Sequence, residues 1–175
     1  DMDFETKNDV TIDNYLLMIE LKTAVLFAAS LKVAAILSGA SNNDIDSLYN
    51  FGLNIGIAFQ LRDDYLDTFG KSDSFGKIIG SDIKSKKKTV LFINAMQKSS
   101  EEDRIFLEKI YSEKSIVNNE DVQLVTKIFK KYGVDEYCNQ LSQSYYELAS
   151  SNIKKVSVPF DTLKNYSELL FKRKN

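Results

Sequence analysis

Residues 48–69 read LYNFGLNIGIAFQLRDDYLDTF, and this stretch decides the fold. Its first fourteen residues are apolar with few exceptions, which predicts a helix buried on most of its sides. Three carboxylates follow within five residues, at Asp63, Asp64 and Asp67. Together with Gln60 they occupy positions i, i+3, i+4 and i+7, so a helix projects all four side chains from one face.

Two glycines, Gly52 and Gly56, lie upstream of the acids on the same predicted face. Each glycine inside a helix costs about 1 kcal/mol relative to alanine, so their presence needs a reason. We expect them to leave open space above the carboxylates. The stretch is therefore interpreted as a carboxylate cluster beneath a cavity.

Clustering these acids on one helix is unfavourable unless something compensates their charge. Two carboxylates about 5 Å apart repel by about 3 kcal/mol at an effective dielectric constant near 20, and removal from water adds to the cost. Bound divalent cations would remove the penalty, and oxygen ligands favour magnesium or calcium over zinc. In the alternative interpretation the helix reaches the surface at Arg62 and the acids are solvated.

Composition narrows the chemistry that the chain can perform. A net charge of −2 over 175 residues implies no general attraction to nucleic acid or membrane. The absence of histidine excludes Ser-His and Cys-His mechanisms within the chain. The single cysteine, Cys138, cannot form an internal disulfide, which favours a reducing compartment such as the cytoplasm, and we expect it to be a small buried apolar residue.

Sequence periodicity predicts one all-α domain over residues 1–175, without a signal peptide or a membrane span. A first helical segment should begin after the N-cap Thr11 and run over 12–37, with a possible break in the middle, to the Ser38-Gly39 stop. A polar turn at 41–44 should precede the central helix, and a long loop should occupy 70–88. Further helices are predicted over residues 89–97, 101–112, 119–132, 134–150 and 160–171, the last opened by Pro159.

Cations flank the acids on both sides in the sequence. Lys22 is the one charge on a helical stripe formed by Tyr15, Met18, Ile19 and Leu26, where it either reaches out to solvent or points inward at an anion. The predicted loop supplies Lys77, Asp82 and then Lys84, Lys86, Lys87 and Lys88. Metal-binding acids next to lysines are what a diphosphate requires, because metals bridge its oxygens and lysines cancel its remaining charge.

At these residues the chain resembles the trans-isoprenyl diphosphate synthases, the polyprenyl synthetase family that includes farnesyl and geranylgeranyl diphosphate synthases. FQLRDDYLD at 59–67 is similar to the family's second aspartate-rich motif, and FGKIIGSDI at 75–83 with KKT at 87–89 matches the segment that follows it. YLLMIELKTAVLF at 15–27 and SLKVAAILSGA at 30–40 resemble the Lys-Thr helix and the helix after it. FKRKN at 171–175 is similar to the basic tail of several members.

The resemblance implies an all-α isoprenoid-synthase bundle and a prenyltransferase reaction. Magnesium, about three ions in the intact enzyme, and lysines would stabilise the departing diphosphate of an allylic substrate. The double bond of isopentenyl diphosphate would attack the resulting carbocation, and the released diphosphate would take the proton. Family members are usually homodimers.

Residue roles carried over from the family are the following. Asp63 would be the principal magnesium ligand, with Asp64 and Asp67 in or next to its shell. Lys22, Lys77 and Lys87 would contact the allylic diphosphate, and Thr23 and Gln60 would line the site. The tail residues Lys172, Arg173 and Lys174 would either close over the second substrate or form a frayed terminus.

The chain departs from the family in having one aspartate-rich motif where the family has two that face each other. It resembles the C-terminal half of a synthase, so we expect it to be inactive alone, to expose apolar surface and to oligomerise or be partly ordered. Three alternatives stay open at this point. They are a non-catalytic subunit of a heteromeric synthase, a class I terpene cyclase, and a helical interaction module with surface acids.

Overall fold

The computed structural model describes residues 10–70, 79–112 and 116–171 of the chain. Within those ranges the regular structure is helical, as the all-α prediction requires, and no strand occurs. The α-helices are α1 (Ile12–Ile19), α2 (Val25–Leu37), α3 (Asn42–Phe69), α4 (Ser81–Lys84), α5 (Val90–Lys98), α6 (Glu101–Tyr111), α7 (Asn119–Lys131), α8 (Val134–Ile153) and α9 (Asp161–Phe171).

The predicted segment over 12–37 is helical, and its interruption is a π-helical segment at Glu20–Ala24 between α1 and α2. The N-cap prediction is confirmed, because the backbone N–H of Asn14 donates to Thr11 Oγ1 at 3.1 Å. In the π segment the N–H of Val25 donates to the carbonyl of Glu20, five residues back. The segment therefore contains one more residue than an α-helical turn would.

The extra residue corrects the predicted helical stripe. Tyr15 and Ile19 are buried as expected, but Leu26, which follows the π segment, is 71% exposed. An α-helical count places Leu26 on the buried face, whereas the π segment rotates it away. Apolar side chains are exposed along this run at Leu17, Leu21, Leu26, Val33, Ile36 and Leu37.

Two predicted boundaries around the central helix are corrected. Helix α3 begins at Asn42, so the polar residues placed in a turn form its first turn, capped by Ser41, whose Oγ accepts the N–H of Asp44 at 3.2 Å. The predicted loop over 70–88 contains the short helix α4, which follows Gly80 in the left-handed conformation at φ 78°. A Cβ on Gly80 would also lie too close to Cγ1 of Val122, so both the left-handed backbone and the lack of space favour glycine at this position.

The remaining helices match their predicted positions to within a few residues. Helix α5 is buried over residues 90–95, as a helix inside a core should be. Cys138 is fully buried, which confirms its predicted packing role. None of the helices in the described ranges has the length and apolarity that a membrane crossing requires.

The chain divides into two compact units. The first comprises Asp1–Tyr15, Asp63–Asn139 and Asn175, and the second comprises Leu16–Arg62 and Gln140–Lys174. In the second, apolar residues from α3, α8 and the segment after α8 form a core of Phe51, Ile55, Ala149, Ile153 and Val156. In the first, α5, α6 and α7 bury large apolar side chains that include Leu91, Leu107 and Phe129. The assignment of a single domain stays a prediction.

Candidate functional site

The aspartate motif, defined here as Asp63, Asp64 and Asp67, lies at the end of α3 within the first unit. Asp64 is 4% exposed and Asp67 is 9% exposed, and Asp63 is half-buried. These values contradict the alternative in which the helix surfaces at Arg62 and all three acids are solvated. Burying carboxylates is costly unless donors or cations compensate them, so their partners matter.

Asp64 is bound by a tyrosine from the start of the chain. The hydroxyl of Tyr15, on α1, donates a hydrogen bond to Asp64 Oδ2, and both residues are buried. Burial, together with the charge of Asp64, raises the pKa of Tyr15 well above its ordinary value. The tyrosine therefore stays protonated and keeps donating to the carboxylate.

Asp67 is tied to the turn that opens α4. Its Oδ1 accepts from Ser81 Oγ at 2.5 Å, its Oδ2 accepts from the backbone N–H of Asp82 at 2.9 Å, and its backbone carbonyl accepts from the N–H of Gly80 at 2.6 Å. Burial raises the pKa of Asp67, although the donors from Ser81 and Asp82 act in the opposite direction. The turn is therefore held in place by the last acid of the motif.

The same turn brings a lysine to the acids. Lys87 Nζ donates to Asp82 Oδ1 at 2.5 Å, and the backbone N–H of Lys87 donates to the carbonyl of Asp82 at 2.9 Å. This pairing raises the pKa of Lys87, and the charges of Asp64 and Asp67 raise it further. In the first unit, Ser81 and Asp82 therefore connect the aspartate motif to Lys87, one of the lysines predicted to contact the diphosphate.

In the second unit, Thr23 and Gln60 form a pair. Thr23 Oγ1, in the π segment, donates to Gln60 Oε1 on α3 at 3.3 Å, and both residues are half-buried. Lys22 precedes Thr23 in the π segment and is exposed. The structure thus links two predicted site residues directly, and the roles of all three stay predictions.

The glycines of α3 do not open a cavity, contrary to the sequence prediction. A Cβ on Gly52 would lie 2.7 Å from Cα of Ala28, and one on Gly56 would lie 2.6 Å from Cα of Ala24. Both glycines instead allow the backbone of α3 to approach the π segment and α2 closely. Helix packing, and not substrate space, explains their presence.

Several predicted residues lie outside the described ranges. They are Lys77, Lys172, Arg173 and Lys174.

Magnesium is compatible with the donor set of the first unit. Across residues 10–70, 79–112 and 116–171, no three acidic, cysteine or histidine side chains converge closely enough to hold an ion by themselves. Mg²⁺, however, is usually bound through one or two carboxylates together with substrate phosphates and water. Both oxygens of Asp67 already accept hydrogen bonds from protein donors. The side chains of the motif nevertheless offer only oxygen atoms, the ligand type that magnesium prefers, so they fit an ion that arrives with a diphosphate.

Sequence reasoning missed two residues of this arrangement and the local structure of a third. Tyr15 counted only as an apolar stripe residue, although a tyrosine buried in a stripe needs a partner for its hydroxyl. Ser81 was not singled out, and Asp82 was named beside the lysines but placed in a loop. The glycine before them was the available sign of a tight turn.

Comparisons with known proteins agree with the resemblance seen in the sequence. The family model described as polyprenyl synthetase matches residues 1–131. The geranylgeranyl diphosphate synthase of Sulfolobus acidocaldarius is 36% identical over 178 residues, which cover 99% of this chain and 53% of that protein. The chain spans about half the length of the curated relatives it matches.

Solved structures give the same result at the level of the fold. A geranylgeranyl pyrophosphate synthetase from Pyrococcus horikoshii aligns with a TM-score of 0.89 at 33% identity, over 99% of this chain and 53% of that one. A geranylgeranyl pyrophosphate synthase from Corynebacterium glutamicum, complexed with isoprenyl diphosphate and magnesium, aligns with a TM-score of 0.90 at 28% identity, over 99% and 50%. The expected all-α fold is thereby confirmed.

Proposed function

Since this chain belongs to the polyprenyl synthetase family, we propose that it forms part of an isoprenyl diphosphate synthase. The reaction is the head-to-tail condensation of an allylic diphosphate with isopentenyl diphosphate. The allylic C–O bond breaks, a C–C bond forms to the isopentenyl double bond, and a proton passes to the released diphosphate. The activity is proposed for the whole protein, because the chain spans about half the length of its relatives.

One observation carries the proposal furthest. Two acids of the aspartate motif are buried, and the turn that binds Asp67 also holds Lys87. A cluster of buried carboxylates linked to a lysine suits a site for a diphosphate and its metal ions better than it suits a solvated helix end. The names of the relatives, geranylgeranyl and short-chain isoprenyl diphosphate synthases, support the same substrate class.

The chain's own residues divide the work as follows. Asp63 would hold magnesium, with Asp64 and Asp67 adjacent to it, and bound magnesium would neutralise charge that develops on the departing diphosphate. Lys87 would contact the allylic diphosphate, as would Lys22 and Lys77. Thr23 and Gln60 would line the substrate site, and Arg173 would contact the second substrate. A homodimer in the cytoplasm belongs to the same proposal.

The test is turnover by the full-length protein with both diphosphates and MgCl2. We expect Asp63→Ala to lower kcat/KM by about 100-fold or more, because it removes stabilisation of the developing negative charge. Asp46→Ala, which changes an exposed aspartate near the start of α3, is the matched control and should retain activity.

Two results would count against the proposal. Turnover by Asp63→Ala at the wild-type rate would remove the motif from the reaction. Tight binding of Mg²⁺ and diphosphate without any turnover by the full-length protein would favour a non-catalytic subunit instead.

A further inference from the structure

Tyr15 and Asp64 form a buried pair between distant parts of the sequence. They are 49 positions apart, and they are 2% and 4% exposed. The hydroxyl of Tyr15 donates to Oδ2 of Asp64, so this oxygen faces α1. A hydrogen bond made inside a protein, where water does not compete, restricts a carboxylate to one orientation.

Orientation matters here because Asp64 adjoins Asp63 in the chain and is three residues from Asp67. A tyrosine ring has two side-chain torsions and is packed on all sides at this position, so its hydroxyl is a fixed donor. The other end of the motif is fixed similarly, since Asp67 accepts from Ser81 and from the backbone of Asp82. Neutral donors therefore orient the two buried acids.

We propose that Tyr15 is a positioning residue whose hydroxyl holds Asp64 so that the aspartate motif is preset for magnesium and diphosphate. The inference rests on the proposed function of the motif. It goes beyond a structural role for Tyr15, because a residue that only fills the core would affect folding and leave ligand affinity unchanged.

The first unit contains a matched control. Tyr132 also donates its hydroxyl to an aspartate, Asp103 Oδ2, at 2.7 Å. That pair lies between α6 and the end of α7 and involves no residue of the motif. The Tyr132 hydroxyl also accepts the backbone N–H of Ser100 at 2.9 Å. Each Tyr→Phe change removes one hydroxyl that donates to an aspartate, so a difference in ligand affinity reports the position of the pair.

The experiment compares Tyr15→Phe and Tyr132→Phe in the full-length protein, with inorganic diphosphate and MgCl2 as the probe. Isothermal titration should give a Kd about tenfold or more above wild type for Tyr15→Phe, the size typical of losing a group that orients a metal ligand. Tyr132→Phe should stay within about twofold. Circular dichroism and urea midpoints report folding separately. A wild-type Kd for folded Tyr15→Phe would overturn the proposal.

A second comparison removes the charge that Tyr15 is proposed to orient. In the Asp64→Asn background, adding Tyr15→Phe should change the Kd by less than about twofold, because a residue that acts through Asp64 has nothing further to lose. This background also serves if Tyr15→Phe alone does not fold. A further large loss there would overturn the proposal. Absence of any Mg²⁺-dependent binding by wild-type protein would instead overturn the proposed function, and with it this inference.

Discussion

Two groups of residues in the first unit combine tyrosine, aspartate, serine and lysine in different surroundings. The group around the aspartate motif, called the buried group after its carboxylates, consists of Tyr15, Asp64, Asp67, Ser81, Asp82 and Lys87. Its lysine, Lys87, is itself exposed. The surface group lies between α6 and α7 and consists of Ser100, Asp103, Lys131 and Tyr132. Burial raises the pKa of Asp67, whereas the donors from Lys131 and Tyr132 lower the pKa of Asp103.

The comparison indicates that exposure to solvent, more than residue type, determines the role of such a group of residues. In the surface group Lys131 Nζ lies 2.7 Å from Asp103, but water and salt compete for both ions, so the contact adds little. In the buried group each carboxylate is largely shielded from water and depends on the donors that the fold supplies. Fixed donors of this kind are what a binding site needs, which is why the comparison can be tested on ligand affinity as well as stability.

The largest difference is expected in stability when the central aspartate of each group is removed. Asp67→Ala should lower the free energy of unfolding by about 1–3 kcal/mol, because the buried N–H of Asp82 loses its acceptor. Asp103→Ala should have a smaller effect, since its partner Lys131 is exposed and its partner Tyr132 is only half-buried. Urea denaturation followed by circular dichroism measures both. Equal losses would show that burial does not separate the two groups.

A smaller difference is expected between the two lysines, now in ligand affinity. Lys87→Ala should weaken binding of inorganic diphosphate with MgCl2 by about tenfold, as expected for the loss of one charge-assisted hydrogen bond. Lys131→Ala removes a lysine with a similar aspartate contact and should leave the Kd unchanged. Isothermal titration provides the measurement, and equal Kd values would remove Lys87 from the site.

The smallest effect is the pH dependence of the surface group. Because the pKa of Asp103 is lowered below its ordinary value of 3.8, its ionised form stabilises the folded protein. The stability advantage of wild type over Asp103→Asn should be present above pH 3.8 and should disappear as the pH falls through the lowered pKa. Melting temperatures of both proteins across this range test the sign, and an advantage that grows on acidification would contradict it.

The helices, their approximate ends and the family were available from the sequence because they depend on local patterns. Apolar periodicity and the Thr11 cap are read within a few residues, and the aspartate motif with the segment after it identifies the family. The phase of the helix after Glu20 was not available, since a π segment has no simple local signature. For that reason Leu26 was placed on the wrong face.

What the sequence by itself determined is the set of chemical groups: one aspartate motif on one helix, lysines on either side of it, and no histidine. Only the tertiary structure decided which of these groups meet. Tyr15 reaches Asp64 across 49 positions, Asp67 binds the turn before α4, and the glycines of α3 admit a neighbouring helix where a cavity was expected. The physical reason is that side-chain periodicity encodes the face on which a residue lies, whereas hydrogen bonds and close packing depend on which distant face comes to lie opposite.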